Sequence, residues 1–319
     1  MQRRTLIKAA SAGVSFYSTH SAAMTQPPHK LAGAGQHWVG SPALAGGKAY
    51  AACPLGALHY RQVAPSQSGE SDRSKGDTAL LLLHQSPTGL NQWVDIQPIL
   101  AAGGRRVIAT DNPGYGMSDP PPGEVTVAQL ADNLICLLDQ LNLENVILAG
   151  HHTGAGIAAS LAARYPSRTA AVILQGCPLY TKAERTARLA RVGPTFELKA
   201  DGSHLSQMFE AIYAIAGQQP QALSSVTWAT LSAYLVGPNP PVYDAIFMND
   251  MKPDIAAIKA PTLVLSDSGE RLHEKDLMVA KMRPDFVHKT FSDGGSFSMM
   301  LEPQRWADEV SAFIRAAGV

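Results

Sequence analysis

A short turn between two apolar segments most constrains how this chain folds. Val146 to Ala149 has the pattern of a buried strand, Ile157 to Tyr165 has that of an alanine-rich helix, and the turn between them contains Gly150-His151-His152-Thr153-Gly154. Flanking glycines allow a tight turn whose central residue has a strained backbone, and they let the helix approach closely. The pattern predicts a parallel strand that leads directly into a helix, with His152 at the centre of the turn.

Length and charge narrow the classes of function. The 319 residues are enough for one large α/β domain with an insertion or for two ordinary domains. There are 26 basic and 26 acidic residues and a formal net charge of zero, with no Lys/Arg run in the body of the chain. This composition argues against nucleic acid as a partner and favours a small ligand.

The three cysteines do not form a recognisable pattern. Cys53, Cys136 and Cys177 are widely spaced and contain no Cys-x-x-Cys pair. Neither a disulfide framework nor a zinc site is predicted. We expect these residues to pack as small apolar side chains.

The N-terminus has the features of an export signal. Arg3-Arg4-Thr5-Leu6-Ile7-Lys8 resembles the twin-arginine motif, and it precedes a short apolar stretch and the small residues Ser21-Ala22-Ala23. Residues 1–23 are therefore predicted to be a signal peptide that directs the protein to the periplasm or outside the cell. The apolar stretch is too short for a stable membrane anchor. The alternative is a cytoplasmic protein that starts at Met24.

After a flexible lead-in predicted over residues 24–47, strand and helix patterns alternate. The alternation runs to residue 178 and resumes over residues 251–319, whereas residues 179–250 contain four helical segments separated by Gly and Pro. It predicts an α/β fold with a mostly parallel sheet, helices on both faces and an inserted helical cap. One helix of the first half is predicted over Asn91 to Ala102.

Four motifs resemble those of the α/β-hydrolase superfamily. They are His84-Gln85-Ser86-Pro87 after the third strand, the segment from Asp111 to Asp119 after the fourth, the turn at His152, and the strand Pro261 to Leu265. The resemblance extends from Lys48 to the C-terminus and implies an α/β-hydrolase fold with eight strands. The cap is similar to those of haloalkane dehalogenases, epoxide hydrolases and carbon–carbon bond hydrolases.

The resemblance also implies roles for individual residues. The backbone N–H groups of Ser86 and Thr153 are the expected oxyanion donors. Gln85 replaces a glycine of the family, and its side chain either adds a donor or simply fills space. Of the two carboxylates after the strand Thr262 to Ser266, Glu270 aligns better as the catalytic acid, and Asp267 is the reserve.

Two positions depart from the family pattern. His152 occupies the place of the nucleophile, and Ser296 occupies the place of the catalytic histidine. We hypothesise that the two side chains have exchanged places, which predicts a hydrogen bond between an imidazole nitrogen of His152 and Ser296 Oγ. Glu270 is expected beside position 296, and its distance from the far nitrogen of His152 is the weak point of this arrangement.

The remaining residues around the turn are assigned to a pocket. His151 is expected on the protein surface or on the pocket wall beside Gln85 and Phe297. A metal site at His151 and His152 lacks an identifiable third ligand, so neither a metal nor an organic cofactor is predicted.

These assignments predict a cofactor-independent enzyme that hydrolyses an ester, a lactone or a related carbonyl compound. Its substrate is expected to be small and largely apolar, and His152, Ser296 and Glu270 are the candidate catalytic residues. Two alternatives remain open. One is lyase-type general-base chemistry by His152, and the other is a binding protein that has lost catalysis. The sequence leaves the oligomeric state undetermined.

Overall fold

A computed structural model describes residues 46–65, 78–190, 197–236 and 241–319. The predicted signal peptide and the lead-in up to residue 45 lie outside these ranges. The first strand begins at Gly46, two residues before the predicted start of the core.

Eight strands form a single sheet. In chain order they are β1 Gly46–Cys53, β2 Gly56–Val63, β3 Ala79–Leu83, β4 Val107–Thr110, β5 Val146–His151, β6 Thr169–Gln175, β7 Thr262–Asp267 and β8 Val287–Phe291. Their spatial order is β1-β2-β4-β3-β5-β6-β7-β8, and all neighbours are parallel except β1/β2 and β2/β4. The predicted fold class, a mostly parallel eight-stranded sheet, is confirmed.

The helices of the described ranges fall into two groups. Those that alternate with strands or follow the last strand are α1 Ile96–Ala102, α2 Val127–Gln140, α3 Thr153–Arg164, α8 Met251–Ala257, α9 His273–Met282, α10 Ser298–Leu301 and α11 Pro303–Ala317. Between β6 and α8, in the segment predicted as the cap, are α4 Lys182–Leu189, α5 Ser203–Ile215, α6 Leu223–Val236 and α7 Pro241–Met248. In the part of the chain that the structure covers, no helix is long and apolar enough to cross a membrane.

Apolar side chains cover both faces of the sheet. The central strands β3 and β5 are buried along their whole length, because helices cover both sides of a parallel sheet. One core packs α2 and α3 against the sheet. The other packs α1 and α11, where the Trp93 and Trp306 rings lie 5.6 Å apart. These two layers hold the ends of the strands in fixed positions.

Two local predictions need correction. The helix predicted over Asn91 to Ala102 is a 3₁₀ turn, Leu90–Trp93, followed by the separate helix α1. At the start of that turn the Leu90 N–H donates to Asp111 Oδ1 at 2.7 Å, so a contact distant in sequence sets its direction. The short helix α8 was not predicted; the Asp250 side chain caps it by accepting from Lys252 N–H.

The cysteines are only partly as expected. Cys177 is buried, but Cys53 and Cys136 are half-buried neighbours, and the Gln140 amide lies 3.8 and 3.1 Å from their respective sulfurs. Burial, helped by the adjacent Cys136 thiol, raises the pKa of Cys53 to about 12. The Cys53 thiol is therefore protonated at neutral pH. Cys53 lies on β1 and Cys136 on α2, so both are on different elements from His152.

The strand order reverses at β3, because β4 lies on one side of it and β5 on the other. Ligands of open α/β sheets bind outside the carboxyl ends of strands at such a reversal. The loop after β3 and the turn after β5 meet at this edge of the sheet.

Candidate active site

The turn at His152 has the strained geometry that its glycines predicted. His152 has φ 48° and ψ −109°, and α3 begins at the next residue. A Cβ on Gly150 would lie 2.2 Å from the Gly154 carbonyl oxygen, and one on Gly154 would lie 2.0 Å from the Leu83 carbonyl oxygen. Both glycines are therefore required for close packing of helix and strand. The N-terminus of α3 places unpaired backbone N–H groups beside His152.

His152 is held by Glu270. The imidazole Nε2 lies 3.0 Å from Glu270 Oε1, and the carboxylate side chain is 1% exposed whereas that of His152 is 22% exposed. Burial acts to raise the pKa of Glu270, but the His152 imidazole and its hydrogen bond outweigh this effect and hold the pKa at about 2. Glu270 is thus ionised at neutral pH and can only accept hydrogen bonds. Consequently, Nε2 of His152 carries the hydrogen, and neutral His152 has its free lone pair on Nδ1.

A glycine after β6 seats the imidazole. A Cβ on Gly176 would lie 2.1 Å from Cδ2 and 2.5 Å from Nε2 of His152. The opposite edge of the ring, which contains Nδ1, therefore faces away from Gly176. The N–H groups of Gly176 and Cys177 donate to the buried Asp276 carboxylate at 3.0 and 2.7 Å. Asp276, on α9, thereby fixes the backbone against which His152 rests.

Ser296 is buried and lies near Glu270, where its hydroxyl contributes to lowering the pKa of that carboxyl. Among the hydrogen bonds of the described ranges, none joins Ser296 to His152, so the direct contact of the exchange hypothesis is not formed. The distance from Glu270 to the far nitrogen of His152 was the doubtful part of that hypothesis, and Glu270 does reach this nitrogen. An imidazole attached at position 152 contacts the acid loop that a histidine at position 296 was expected to contact.

Asp267 does not serve as a second acid for His152. Its side chain is fully buried, and Oδ2 accepts from Gln175 Nε2 at 2.6 Å and from Ser298 Oγ at 2.8 Å. Burial raises the pKa of Asp267 to about 6. Asp267 ends β7 and points into the interior, whereas Glu270 lies three residues later in the loop, so only Glu270 contacts the imidazole.

The expected oxyanion donors are not equally available. Ser86 N–H donates to Thr153 Oγ1 at 3.2 Å, and the Thr153 hydroxyl donates to Ser86 Oγ at 3.0 Å. The Thr153 N–H is the first of α3 and has no acceptor within the helix. Thr153 N–H can therefore meet an oxyanion directly, whereas Ser86 N–H becomes available only if the Thr153 hydroxyl moves.

Gln85 does not line the cavity at His152. It is buried, its N–H donates to Gln92 Oε1 at 3.0 Å, and its carbonyl accepts from Thr88 and His84. These contacts fix the backbone of Gln85 in the loop, and its side chain is not among those that line the cavity. The proposed side-chain donor at the mouth of the site is thus not present in this arrangement.

His151 is buried beneath the turn, not on the surface or on the cavity wall. Gln92 Oε1 accepts from the Gln85 N–H, so Gln92 Nε2 must be the atom that faces His151 Nδ1, at 3.0 Å. Nδ1 of His151 is consequently an acceptor, and Nε2 carries the hydrogen. Burial, followed by the nearby His152, places the pKa of His151 well below its usual value, so this imidazole is neutral.

Side chains with metal-ligating atoms cluster at the same turn. Ligand atoms of His151, His152 and Glu270 lie within 4.8 Å of one another, so a third ligand that the sequence did not reveal is present. However, one nitrogen of His151 accepts from Gln92 and the other carries the hydrogen, so His151 offers no free lone pair. Binding a metal would require the Gln92 amide to turn its NH₂ group toward the Gln85 N–H. The donor set present does not fit a metal.

Phe297 belongs to a different cluster. It is buried against Ile212 and Val226, which lie on α5 and α6. It lines a separate small cavity there and not the one at His152. Phe297 therefore attaches the inserted helices to the core, and its assignment to the substrate pocket is not supported.

A cavity of about 540 Å³ opens over His152. Ser86, His152 and Thr153 contribute from the ends of the strands, and Arg188, Tyr243 and Phe247 contribute from the inserted helices. Arg271 follows Glu270 and also lines it. Among these cavity residues, Arg188, Tyr243, Phe247 and Arg271 were not predicted from the sequence. Gly176 and Gln92 were not predicted either. The i, i+4 spacing of Tyr243 and Phe247 was one available signal, since it places both on one face of a helix.

Comparisons with known proteins agree with the fold. Residues 78–224 match the family model of the alpha/beta hydrolase fold. A stretch of 101 residues is 36% identical to 2-hydroxymuconate semialdehyde hydrolase from Pseudomonas sp. (strain CF600), covering 30% of this chain and 35% of that protein. A stretch of 122 residues is 34% identical to a haloalkane dehalogenase from Psychrobacter cryohalolentis, covering 36% and 40%. The matched stretches thus span little more than a third of these relatives.

The similarity of fold extends further along the chain. The crystal structure of the enol-lactonase from Burkholderia xenovorans LB400 superposes with a TM-score of 0.67 at 20% identity, covering 84% of this chain and 100% of that one. The sheet order, the strained turn after β5, the acid after β7 and these matches lead to one assignment: the chain belongs to the α/β-hydrolase superfamily.

Proposed function

We propose that this protein is a cofactor-independent hydrolase of an ester, a lactone or a related carbonyl compound, with His152 as general base. The observation that carries the proposal is the contact between His152 Nε2 and buried, ionised Glu270, which leaves Nδ1 as the basic nitrogen. His152 also lines the cavity, so a bound substrate or water can reach its ring. Relatives that hydrolyse related compounds support the reaction class.

In the proposed mechanism, His152 Nδ1 accepts a proton from water while the water oxygen attacks the carbonyl carbon. The tetrahedral oxyanion accepts a hydrogen bond from Thr153 N–H and lies near the N-terminus of α3, which favours negative charge. When the intermediate collapses, the leaving oxygen takes the proton back from His152. Glu270 keeps the imidazole in one tautomer and stabilises its charged form. The products are a carboxylic acid and an alcohol, or a hydroxy acid from a lactone.

The test is a panel of aryl esters and lactones assayed with the wild type, His152→Ala and a control, His288→Ala. His288 is a half-buried histidine on β8 that does not line the cavity. We expect His152→Ala to lose hydrolysis and to regain part of it when imidazole is added, while His288→Ala keeps it. Equal rates for the wild type and His152→Ala would refute the proposed base.

The closed contact between Ser86 and Thr153 supports a second candidate function. Because Ser86 N–H is already engaged by Thr153 Oγ1, only one expected oxyanion donor is free. A base without a full oxyanion site suits lyase-type proton abstraction or binding without turnover. Thr153→Val, which removes the hydroxyl and frees the Ser86 N–H, distinguishes the two cases. Faster ester hydrolysis by this variant would favour a hydrolase in which Thr153 blocks one oxyanion donor. No ester hydrolysis by either the wild type or the variant would favour the second candidate.

We also propose export through the twin-arginine route, on the strength of residues 3–8 and the segment that follows them. Cell fractionation of the wild type beside an Arg3→Lys/Arg4→Lys variant tests this proposal. We expect the wild type in the periplasm or outside the cell and the variant in the cytoplasm. A wild type that stays in the cytoplasm would refute the proposed export.

A further inference from the structure

The walls of the cavity over His152 contain two arginines. Arg188 is on α4 in the inserted segment, and Arg271 is in the loop after β7, directly after Glu270. They approach from different elements and line the same cavity as His152. Two cationic side chains in one cavity favour a ligand with a negative charge.

Arg188 is held in place without a carboxylate. Its guanidinium carbon lies 4.9 Å from the centre of the Tyr243 ring and 4.8 Å from that of Phe247, and it donates to the Tyr243 hydroxyl. Stacking of this kind orients the guanidinium plane and reduces the freedom lost on binding. Within the described ranges, no carboxylate forms an ion pair with Arg188 or with Arg271.

The acidic residue on the cavity wall does not neutralise the arginines. Glu184 accepts from Lys275 Nζ at 2.7 and 2.9 Å and from Thr181 N–H at 2.7 Å. The hydrogen bond with Lys275 is the main cause that lowers the pKa of Glu184 to about 2. Burial raises the pKa of Tyr180 to about 12, so this phenol is neutral. The cavity therefore carries a net positive charge from Arg188 and Arg271.

The rest of the wall is aromatic. Tyr180 stacks on Phe247 with ring centres 5.0 Å apart, and Tyr243 meets Phe247 edge to face. Flat, apolar groups pack well on such surfaces. A cavity of about 540 Å³ accommodates a small molecule with one apolar segment and one charged end.

We infer that Arg188 and Arg271 form a binding site for a carboxylate of the substrate, whose aryl or unsaturated body lies on Tyr180 and Phe247 and whose reacting carbonyl faces His152. This inference rests on the proposed function for the last of these placements only. The proposed substrate is therefore a small anion, whereas the sequence predicted a largely apolar molecule. A guanidinium binds a carboxylate through two parallel hydrogen bonds, which also fixes the orientation of the bound molecule.

The experiment measures binding and not turnover. 4-Phenylbutyrate and its neutral analogue 4-phenylbutyramide are titrated by calorimetry into His152→Ala, and then into that variant with Arg188→Gln, Arg271→Gln or Lys182→Gln added. Lys182 is the matched control, because it is an exposed cation on the same helix as Arg188 and does not line the cavity. Because His152 is absent throughout, failure of the proposed catalysis does not affect the result.

We expect the carboxylate to bind at least tenfold more tightly than the amide, since hydrogen bonds between two charged groups are stronger than those to a neutral group. Arg188→Gln and Arg271→Gln should each weaken carboxylate binding about tenfold or more and leave amide binding unchanged, and Lys182→Gln should have no effect. Arg188→Lys, which keeps the charge, serves as a second variant if Arg188→Gln does not fold. Equal affinity for acid and amide, or a loss in only one of the two arginine variants, would overturn the two-arginine site.

Discussion

Two histidine–carboxylate pairs in the described part of the chain differ in how far the imidazole is exposed. His59 Nδ1 lies 2.7 Å from Asp111 Oδ2, with both side chains at most 4% exposed. His152 Nε2 lies 3.0 Å from Glu270 Oε1, with the imidazole 22% exposed. Asp111 also accepts hydrogen bonds from the N–H groups of Leu90 and Met117, so the His59–Asp111 pair holds loop backbone in place. Both pairs join an imidazole to a carboxylate, but of the two imidazoles only that of His152 lines a cavity, so His152 is the one that a ligand can reach.

The largest effect should come from removing the exposed imidazole. His152→Ala is expected to lower kcat/KM for a hydrolysed ester about 10²–10⁴-fold, because general-base catalysis contributes that much. Thermal stability should fall less than in His59→Ala, because the space left by the partly exposed imidazole opens to the cavity and lets water solvate Glu270. The measurement is steady-state kinetics beside differential scanning calorimetry. A large loss of stability with unchanged kinetics would reverse the roles assigned to the two pairs.

The buried pair should respond in the opposite way. His59→Ala leaves Asp111 without its imidazole in the interior, and removal of one partner of a buried charged pair costs about 3–5 kcal/mol. Urea unfolding should show this loss, while kcat/KM per folded molecule stays near that of the wild type. A stable His59→Ala protein with impaired catalysis would show that this pair also acts in the site.

Glu270 gives the second pair a characteristic dependence on pH. Its folded-state pKa is about 2 against an ordinary 4.5, so its contribution to stability is fully present above pH 4.5 and is lost as the pH falls toward 2. The contribution amounts to about 3 kcal/mol at neutral pH. The difference in unfolding free energy between wild type and Glu270→Gln should therefore shrink between pH 4.5 and 2. A constant difference across that range would contradict the assigned charge state.

Gly176 tests whether the seat of the imidazole matters. Gly176→Ala places a methyl group where Cδ2 of His152 lies, and the resulting displacement should reduce kcat about 10- to 100-fold. Gly202→Ala is the control, because Gly202 also has a positive φ, 75°, but has no atom within 4 Å of the added carbon. Similar kinetics for the two variants would show that backbone strain, not contact with His152, governs the effect.

Asp267 should show the smallest effect. Its pKa of about 6 lies above the ordinary 3.8, so the contribution of Asp267 to stability is most favourable below pH 3.8 and is lost as the pH rises through 6. Asp267→Asn keeps an acceptor for Gln175 and Ser298 and should raise stability at pH 7 by about 1 kcal/mol, with kcat/KM within about twofold. This gain should disappear near pH 4. A strong loss of activity would restore Asp267 as a catalytic acid.

Local patterns were sufficient for much of the fold. Alternating strands and helices, the glycines around His152 and the spacing from β7 to Glu270 predicted the sheet, the strained turn and the acid, because each depends on residues close in sequence. Contacts between distant segments were not accessible in this way. Examples are the seat at Gly176, the Gln92 amide that sets the tautomer of His151, and Arg188 beside the cavity.

The sequence by itself determined that a histidine replaces the nucleophile at a turn built for close packing, and that position 296 lacks the family's histidine. Only the tertiary structure decided what the histidine contacts. Three strand ends bring His152, Gly176 and Glu270 together from positions up to 118 residues apart. A hydrogen bond requires the two atoms to lie within about 3 Å, and only packing of the whole sheet and its helices sets that distance.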